Sequence, residues 1–129
     1  KGLPVVVGDA THVALRDGCA DAAMSIAVLH HISTLERRRA VISEIARVLR
    51  PGGEALVQAW AREQPATSKR TFRDENVMVP WKLDASSATT LHRFCHVFHK
   101  GELEELATGI LDVIESWYEK GNWCMLLRK

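Results

Sequence analysis

The joint Leu49-Arg50-Pro51-Gly52-Gly53 limits the folds open to this chain more than any other feature. Ahead of it, Ser33 with Glu36 makes a capping box, and Leu35, Val41, Ile42, Ile45, Val48 and Leu49 recur at helical spacing. Pro51 cannot continue that helix, because its ring fixes φ, it has no N–H, and it pushes the preceding residue out of helical geometry. Gly52 and Gly53 then permit a tight turn onto Glu54-Ala55-Leu56-Val57-Gln58-Ala59-Trp60, which reads as a strand. A helix delivered onto a strand by so short a turn is the grammar of an α/β sheet.

The flanking segments extend that grammar. Pro4-Val5-Val6-Val7, closed by Gly8, reads as a short buried strand, and Ala22 to Leu29, ended by His30-His31, as a second. From Ala61 to about Thr90 the chain is polar, apart from an apolar clasp at Val77-Met78-Val79-Pro80-Trp81, and reads as one long functional loop. Leu91 to His99 is expected to be extended. Lys100-Gly101 leads to a helix with Leu103, Leu106, Ile110 and Leu111 on one face, and Val113–Glu119 and Trp123–Arg128 form an antiparallel hairpin around Lys120-Gly121-Asn122. Because a strand follows residue 1 almost at once, we expect residues 1–129 to be a single partial domain whose N-terminal portion is missing.

Composition removes several classes. With 129 residues, 47% hydrophobic and 26% charged, the chain is one globular domain at most. Seventeen basic and 16 acidic residues leave a net charge of +1, so any nucleic-acid contact must come from a local patch. No apolar run approaches the length of a membrane-crossing helix, and Lys1-Gly2-Leu3-Pro4 does not resemble a signal peptide. Three cysteines without CxxC spacing, Cys19, Cys95 and Cys124, disfavour a disulfide framework or a cysteine zinc site, and a reducing cytoplasmic or nuclear compartment is expected.

Several residues carry potential chemistry, each with a plainer alternative. Asp9, after a strand, could accept from an adenine amino group with the backbone of Ala10 beside it, or simply cap its own turn. Arg37-Arg38-Arg39 could contact phosphates or be a solvated helix face. Lys69-Arg70 with Arg62 and Arg73 makes a second basic patch, and Trp81 could pack on a base or close its own loop. His92, His96 and His99, with Cys95, have metal-ligand spacing only on a helix; in an extended segment His99 leaves the other two, and no metal site is expected.

Taken together, Gly8-Asp9-Ala10, Asp21 through Leu29-His30-His31, and Leu49-Arg50-Pro51-Gly52-Gly53 resemble the third to fifth strands of class I S-adenosylmethionine-dependent methyltransferases. Val77 to Trp81, Arg93 to Phe98 with Lys100 to Glu104, and Trp117 to Trp123 are similar to the eukaryotic tRNA methyltransferases that esterify wobble 5-carboxymethyluridine. The resemblance implies a Rossmann-like α/β sheet, mostly parallel with a terminal antiparallel hairpin, of strand order 3-2-1-4-5-7-6. It implies S-adenosylmethionine as cofactor, with Asp9 and Ala10 against the adenine and Ala27, Val28, Leu29 and His30 near the methionine end. His30 or His31 would orient the substrate carboxylate, unless they only cap the strand end, and Arg37, Arg38 and Trp81 would touch the tRNA. A small zinc-binding activator subunit is the implied partner. No GxGxG is present, which departs from the family and predicts weak cofactor binding by these residues alone. Loss of the first two strands would expose an apolar edge at Ala22 to Leu29 and favour self-association. The rival readings are a small-molecule methyltransferase of the same fold and a non-catalytic interaction module.

Overall fold

The computed structural model describes residue 2, residues 5–81 and residues 89–129. Its frame is one β–α–β unit. Strand β1 (Ala20–Ile26) runs through a 3-10 turn at Leu29–His31 into helix α1 (Leu35–Val48), which returns the chain to strand β2 (Leu49–Trp60), parallel to β1. Strands β3 (Asn76–Trp81) and β4 (Leu91–His96) form a separate antiparallel pair. Helix α2 (Glu102–Ala107) then leads to β5 (Asp112–Glu119) and β6 (Asn122–Arg128). β6 pairs antiparallel with β2, and β5 with β6, giving the sheet order β1-β2-β6-β5. That is the order 4-5-7-6 implied by the resemblance.

The Pro-Gly-Gly joint has no loop around it. α1 ends at Val48 and β2 begins at Leu49. Across the pair, Ala20 faces Leu49 and Ala22 already faces Glu54, so Arg50 to Gly53 bulge out of register. Gly53 is obligatory there: a Cβ would lie 2.9 Å from the Arg50 carbonyl oxygen and 3.0 Å from that of Asp21. The hairpin turn is equally specific. Lys120 and Gly121 both have positive φ, 46° and 82°, as a two-residue turn that matches strand twist requires.

Alternate residues of β2 (Ala55, Val57, Ala59) and of β6 (Met125, Leu127) face α1 and α2, and with Leu29, Val41, Ile42, Leu103 and Leu106 they make the main core. A second, smaller core of Trp60, Cys95 and Val97, joined by Phe72, Val77 and Val79, lies under the β3–β4 pair.

Four expectations need correction. Val5 to Val7 are not a strand; they stand almost fully exposed, and with no strand beside them among the described residues there is no ladder for their backbone to join. Pro4 lies outside the described residues. The strand expected over Ala22 to Leu29 ends at Ile26 and is not buried: β1 is the sheet edge, with Met24 77% exposed, so the expected apolar edge is present. The helix cap is Thr34, not Ser33, because Thr34 is the extended residue next to the first turn and its Oγ1 accepts from the Arg37 N–H at 3.3 Å. The long loop contains β3, whose edges pair only with the distant β4, a contact that local pattern does not reveal; the Ser/Thr-rich residues 82–88 lie outside the described residues.

Candidate active site

Open α/β sheets bind ligands beyond the carboxyl ends of their parallel strands, and here β1 and β2 end side by side. After Ile26 the chain turns sharply through Ala27, whose φ of 58° is left-handed, while its N–H still donates to the Gln58 carbonyl at 3.0 Å. An alanine held there stores about 1–2 kcal/mol, a cost found where backbone is being aimed. The turn leaves Val28 at the surface and buries Leu29 and His30.

His30 Nδ1 accepts the backbone N–H of Trp60 at 3.3 Å, and its ring stacks on the indole with centroids 4.6 Å apart. Burial, then the positive charge of His31, Arg93 and Arg70, pushes its pKa down to about 3. It is therefore neutral at physiological pH, with its proton on Nε2. Of the two roles open to it, the strand-end cap is the one its Nδ1 performs. His31 donates from Nδ1 to the Phe94 carbonyl at 3.0 Å, with Cys95 Sγ at 3.4 Å. Burial raises the Cys95 thiol pKa, so it is no ready nucleophile.

On the other side of α1's start, Asp9 Oδ1 accepts from both the N–H and the hydroxyl of Thr11 at 2.8 Å, bonds that hold its carboxyl ionised and below its usual range. Asp9 and Ala10, with Val6, Val13, Ala14 and Leu15, line a hollow of about 380 Å³. The loop is pinned to α1 by a clamp. Glu44 accepts the Val13 N–H at 2.8 Å, while Arg47 donates to the Val13 and Leu15 carbonyls and to Asp17. The Arg47 guanidinium and then the Val13 amide push the Glu44 pKa down to about 2. Apolar walls with one ionised carboxylate at the rim fit a flat heteroaromatic ring that has an amino edge, as adenine does.

The three arginines part company. Arg37 is exposed. Arg38, expected at the tRNA surface, is buried: it donates to the Ile32 and Ser33 carbonyls, lies 5.9 Å from the Phe98 ring centroid, and feels the charges of Glu102 and Glu75. It braces the start of α1, because helical spacing turns it inward between an exposed Arg37 and a half-buried Arg39. Arg39 donates to the carbonyls of Glu105, Leu106 and Thr108, satisfying the end of α2. Trp81 sits opposite Leu91 at the end of the β3–β4 pair, 42% exposed, and has no ring contact with the strand-end cluster among the described residues. His96 is taken by Glu102 and Asn76, and His99 by Arg62. Among the described residues no group of three His, Cys, Asp or Glu side chains is placed to hold a metal.

Sequence reasoning missed Trp60 as a platform. Arg70 lies 4.2 Å and Arg93 5.9 Å from its ring centroid, and Phe72 stacks at 6.1 Å. A hollow of about 450 Å³ opens over it, bounded by Arg70, Phe72, Val77, Val79 and Pro80. Arg70 stood out in the basic loop; Arg93 could have been found from β4's alternation, which sets it on the face of Cys95.

The β–α–β frame and the sheet order are the fold of class I S-adenosylmethionine-dependent methyltransferases. Residues 1–57 match the methyltransferase domain family. By sequence the chain is similar to the tRNA (carboxymethyluridine(34)-5-O)-methyltransferase of Schizosaccharomyces pombe, 35% identical over 98% of this chain and 64% of the relative. It is similar also to the enzyme of that name in Xenopus tropicalis, 32% identical over 95% of this chain and 28% of the relative. The chain thus spans about a quarter to two thirds of these relatives' lengths. In fold it is similar to a methyltransferase from Methanosarcina mazei, with a TM-score of 0.72 at 18% identity, covering 96% of this chain and 66% of that one. A Burkholderia thailandensis didemethyltoxoflavin N1-methyltransferase, solved with S-adenosylhomocysteine, has a TM-score of 0.65 at 17% identity, covering 96% and 49%.

Proposed function

We propose that this chain belongs to an enzyme that transfers a methyl group from S-adenosylmethionine to the carboxymethyl group of a tRNA wobble uridine. The supporting observation is the match, across nearly all of the chain, to two relatives named for that reaction. The chemistry of the site agrees. S-adenosylmethionine, when bound, supplies an electrophilic methyl group, and a carboxylate nucleophile is already ionised, so no strong base is needed. A neutral His30 and a protonated Cys95 suit a site whose task is to position the reactants and exclude water. Asp9 and Ala10 would hold the adenine, and the turn from Ala27 to His30 would face the methionine end. His31 and the exposed Arg37 are the candidates left for substrate contact, with Trp81 at the outer end of the hairpin.

Tritium-labelled S-adenosylmethionine, given with the full-length natural protein, should label tRNA that carries 5-carboxymethyluridine and not tRNA that lacks it. Labelling of small carboxylic acids alone would favour the metabolite enzyme; no transfer and no binding of S-adenosylhomocysteine would favour an interaction module. Two partners belong to the same reading: a small zinc-binding activator subunit, and self-association through the exposed β1 edge. The cytoplasm, where mature tRNA resides, or the nucleus is the compartment that suits it. No helix among the described residues is long and apolar enough to cross a membrane.

A further inference from the structure

We infer that Arg70 and Arg93, mounted on the Trp60 ring, form an anion-binding wall that selects a substrate for the carboxylate on its base, a role that rests on the function proposed above. Both guanidiniums lie within 6 Å of one indole centroid, at 4.2 and 5.9 Å. Neither has a carboxylate partner among the described residues. Two cations sharing one ring without a counter-charge repel each other, and an arriving anion relieves that repulsion. The platform is fixed: Trp60 is 9% exposed, its backbone N–H is held by His30, and the His30 ring is stacked on it. The hollow above it, about 450 Å³, has Arg70 and Lys69 in its lining with Phe72, Val77, Val79 and Pro80 as apolar walls; it is in the size range of small-molecule sites and has room for a base with its substituent. Guanidinium matches the plane of a carboxylate with two parallel hydrogen bonds, whereas an amide offers one acceptor oxygen, no charge, and an NH₂ that faces another donor. The wall therefore distinguishes an acid from its amide.

Backbone phosphates offer the same charge, so the test changes only the base. Anticodon stem-loops carrying 5-carboxymethyluridine or 5-carbamoylmethyluridine are titrated into the full-length protein, with fluorescence anisotropy as the readout. The wild type should bind the acid roughly tenfold or more tightly than the amide. R70Q/R93Q should bind both as the wild type binds the amide, with an unchanged melting midpoint, while R37Q should weaken both equally. A preference for the acid that survives in R70Q/R93Q, or that the wild type never shows, overturns the inference. A wild type that prefers the acid and loses that preference in R70Q/R93Q, yet transfers no methyl to it, supports the wall and refutes the proposed reaction instead.

Discussion

Replacing Gly53 with alanine tests the joint on which the fold turns. The new methyl would lie 2.9 Å from the Arg50 carbonyl oxygen, 3.0 Å from the Asp21 carbonyl oxygen and 3.2 Å from Leu49 Cδ2. The leucine methyl can rotate away; the two carbonyls belong to β2 and β1 at the bulge where those strands lose register, so relief means separating the strands. Overpacking of this kind costs about 1–3 kcal/mol, and backbone obstacles on two sides place it in the upper half of that range. Lower entropy of the unfolded alanine chain offsets about 0.4–1 kcal/mol, leaving a net loss of about 1–2.6 kcal/mol. In a domain of this size that lowers the melting midpoint by about 5–10 °C. Gly52 is the internal comparison: its φ of 76° is strained for alanine, but the nearest obstacle is the tip of the Arg50 side chain at 3.9 Å. G52A should therefore cost only about 1 kcal/mol. Urea and thermal unfolding followed by tryptophan fluorescence measures both. A G53A protein within roughly 2 °C of wild type, or a G52A protein that is the less stable of the two, refutes the reasoning.

Three further outcomes are expected. His30 has a native pKa of about 3 against 6.5 when unfolded, so only the unfolded state takes up its proton below pH 6.5. Its contribution is full above that pH and is lost as the pH falls towards 3, at up to about 1.4 kcal/mol per unit; urea unfolding at pH 7 and pH 5 should show a shallower loss in H30Q. R38M should lose about 2–4 kcal/mol, since it orphans two carbonyls and uncovers Glu102. R37Q should stay within about 0.5 kcal/mol of wild type in the same assay, and equal losses from both would place Arg38 at the surface. Met24→Lys on the β1 edge should reduce any self-association seen by sedimentation velocity, and an unchanged distribution would exclude that edge as the contact.

What could be read from the chain follows how local each cause is. The helix-to-strand joint and the terminal hairpin rest on proline, glycine and apolar spacing within a few residues and stand where expected, whereas α2 ends at Ala107, short of Ile110 and Leu111. Val5 to Val7 were misread because three valines state a preference for extended backbone but cannot state whether a neighbouring strand exists. The β3–β4 pair was missed for a related reason: its strands alternate weakly and are matched only to each other across residues 82–90. Within the site, Ala27 to His30 were singled out as the close of a strand that in fact ends at Ile26, and Asp9 as the residue after a strand that is not formed among the described residues. The burial of Arg38 was not legible, since three identical arginines in a row carry no mark of which one the helix turns inward. Trp60 read as the last residue of a strand, and its role depends on Arg70, Phe72 and Arg93 arriving from elsewhere.

The two cores give the site a seam. The Asp9 hollow is pinned to α1, whose inner face belongs to the large core, and the Trp60 hollow stands over the small one. The bodies are stitched where Phe98 donates to the Trp60 carbonyl at 2.8 Å and accepts from Arg62 at 2.9 Å, and where His31 reaches Phe94. Strand β2 joins them as well, since Ala55, Val57 and Ala59 belong to the large core and Trp60, its last residue, to the small one. A change at Trp60, Arg62 or Phe98 would therefore shift one hollow against the other, much as the bite of a pair of tongs is set at the pivot.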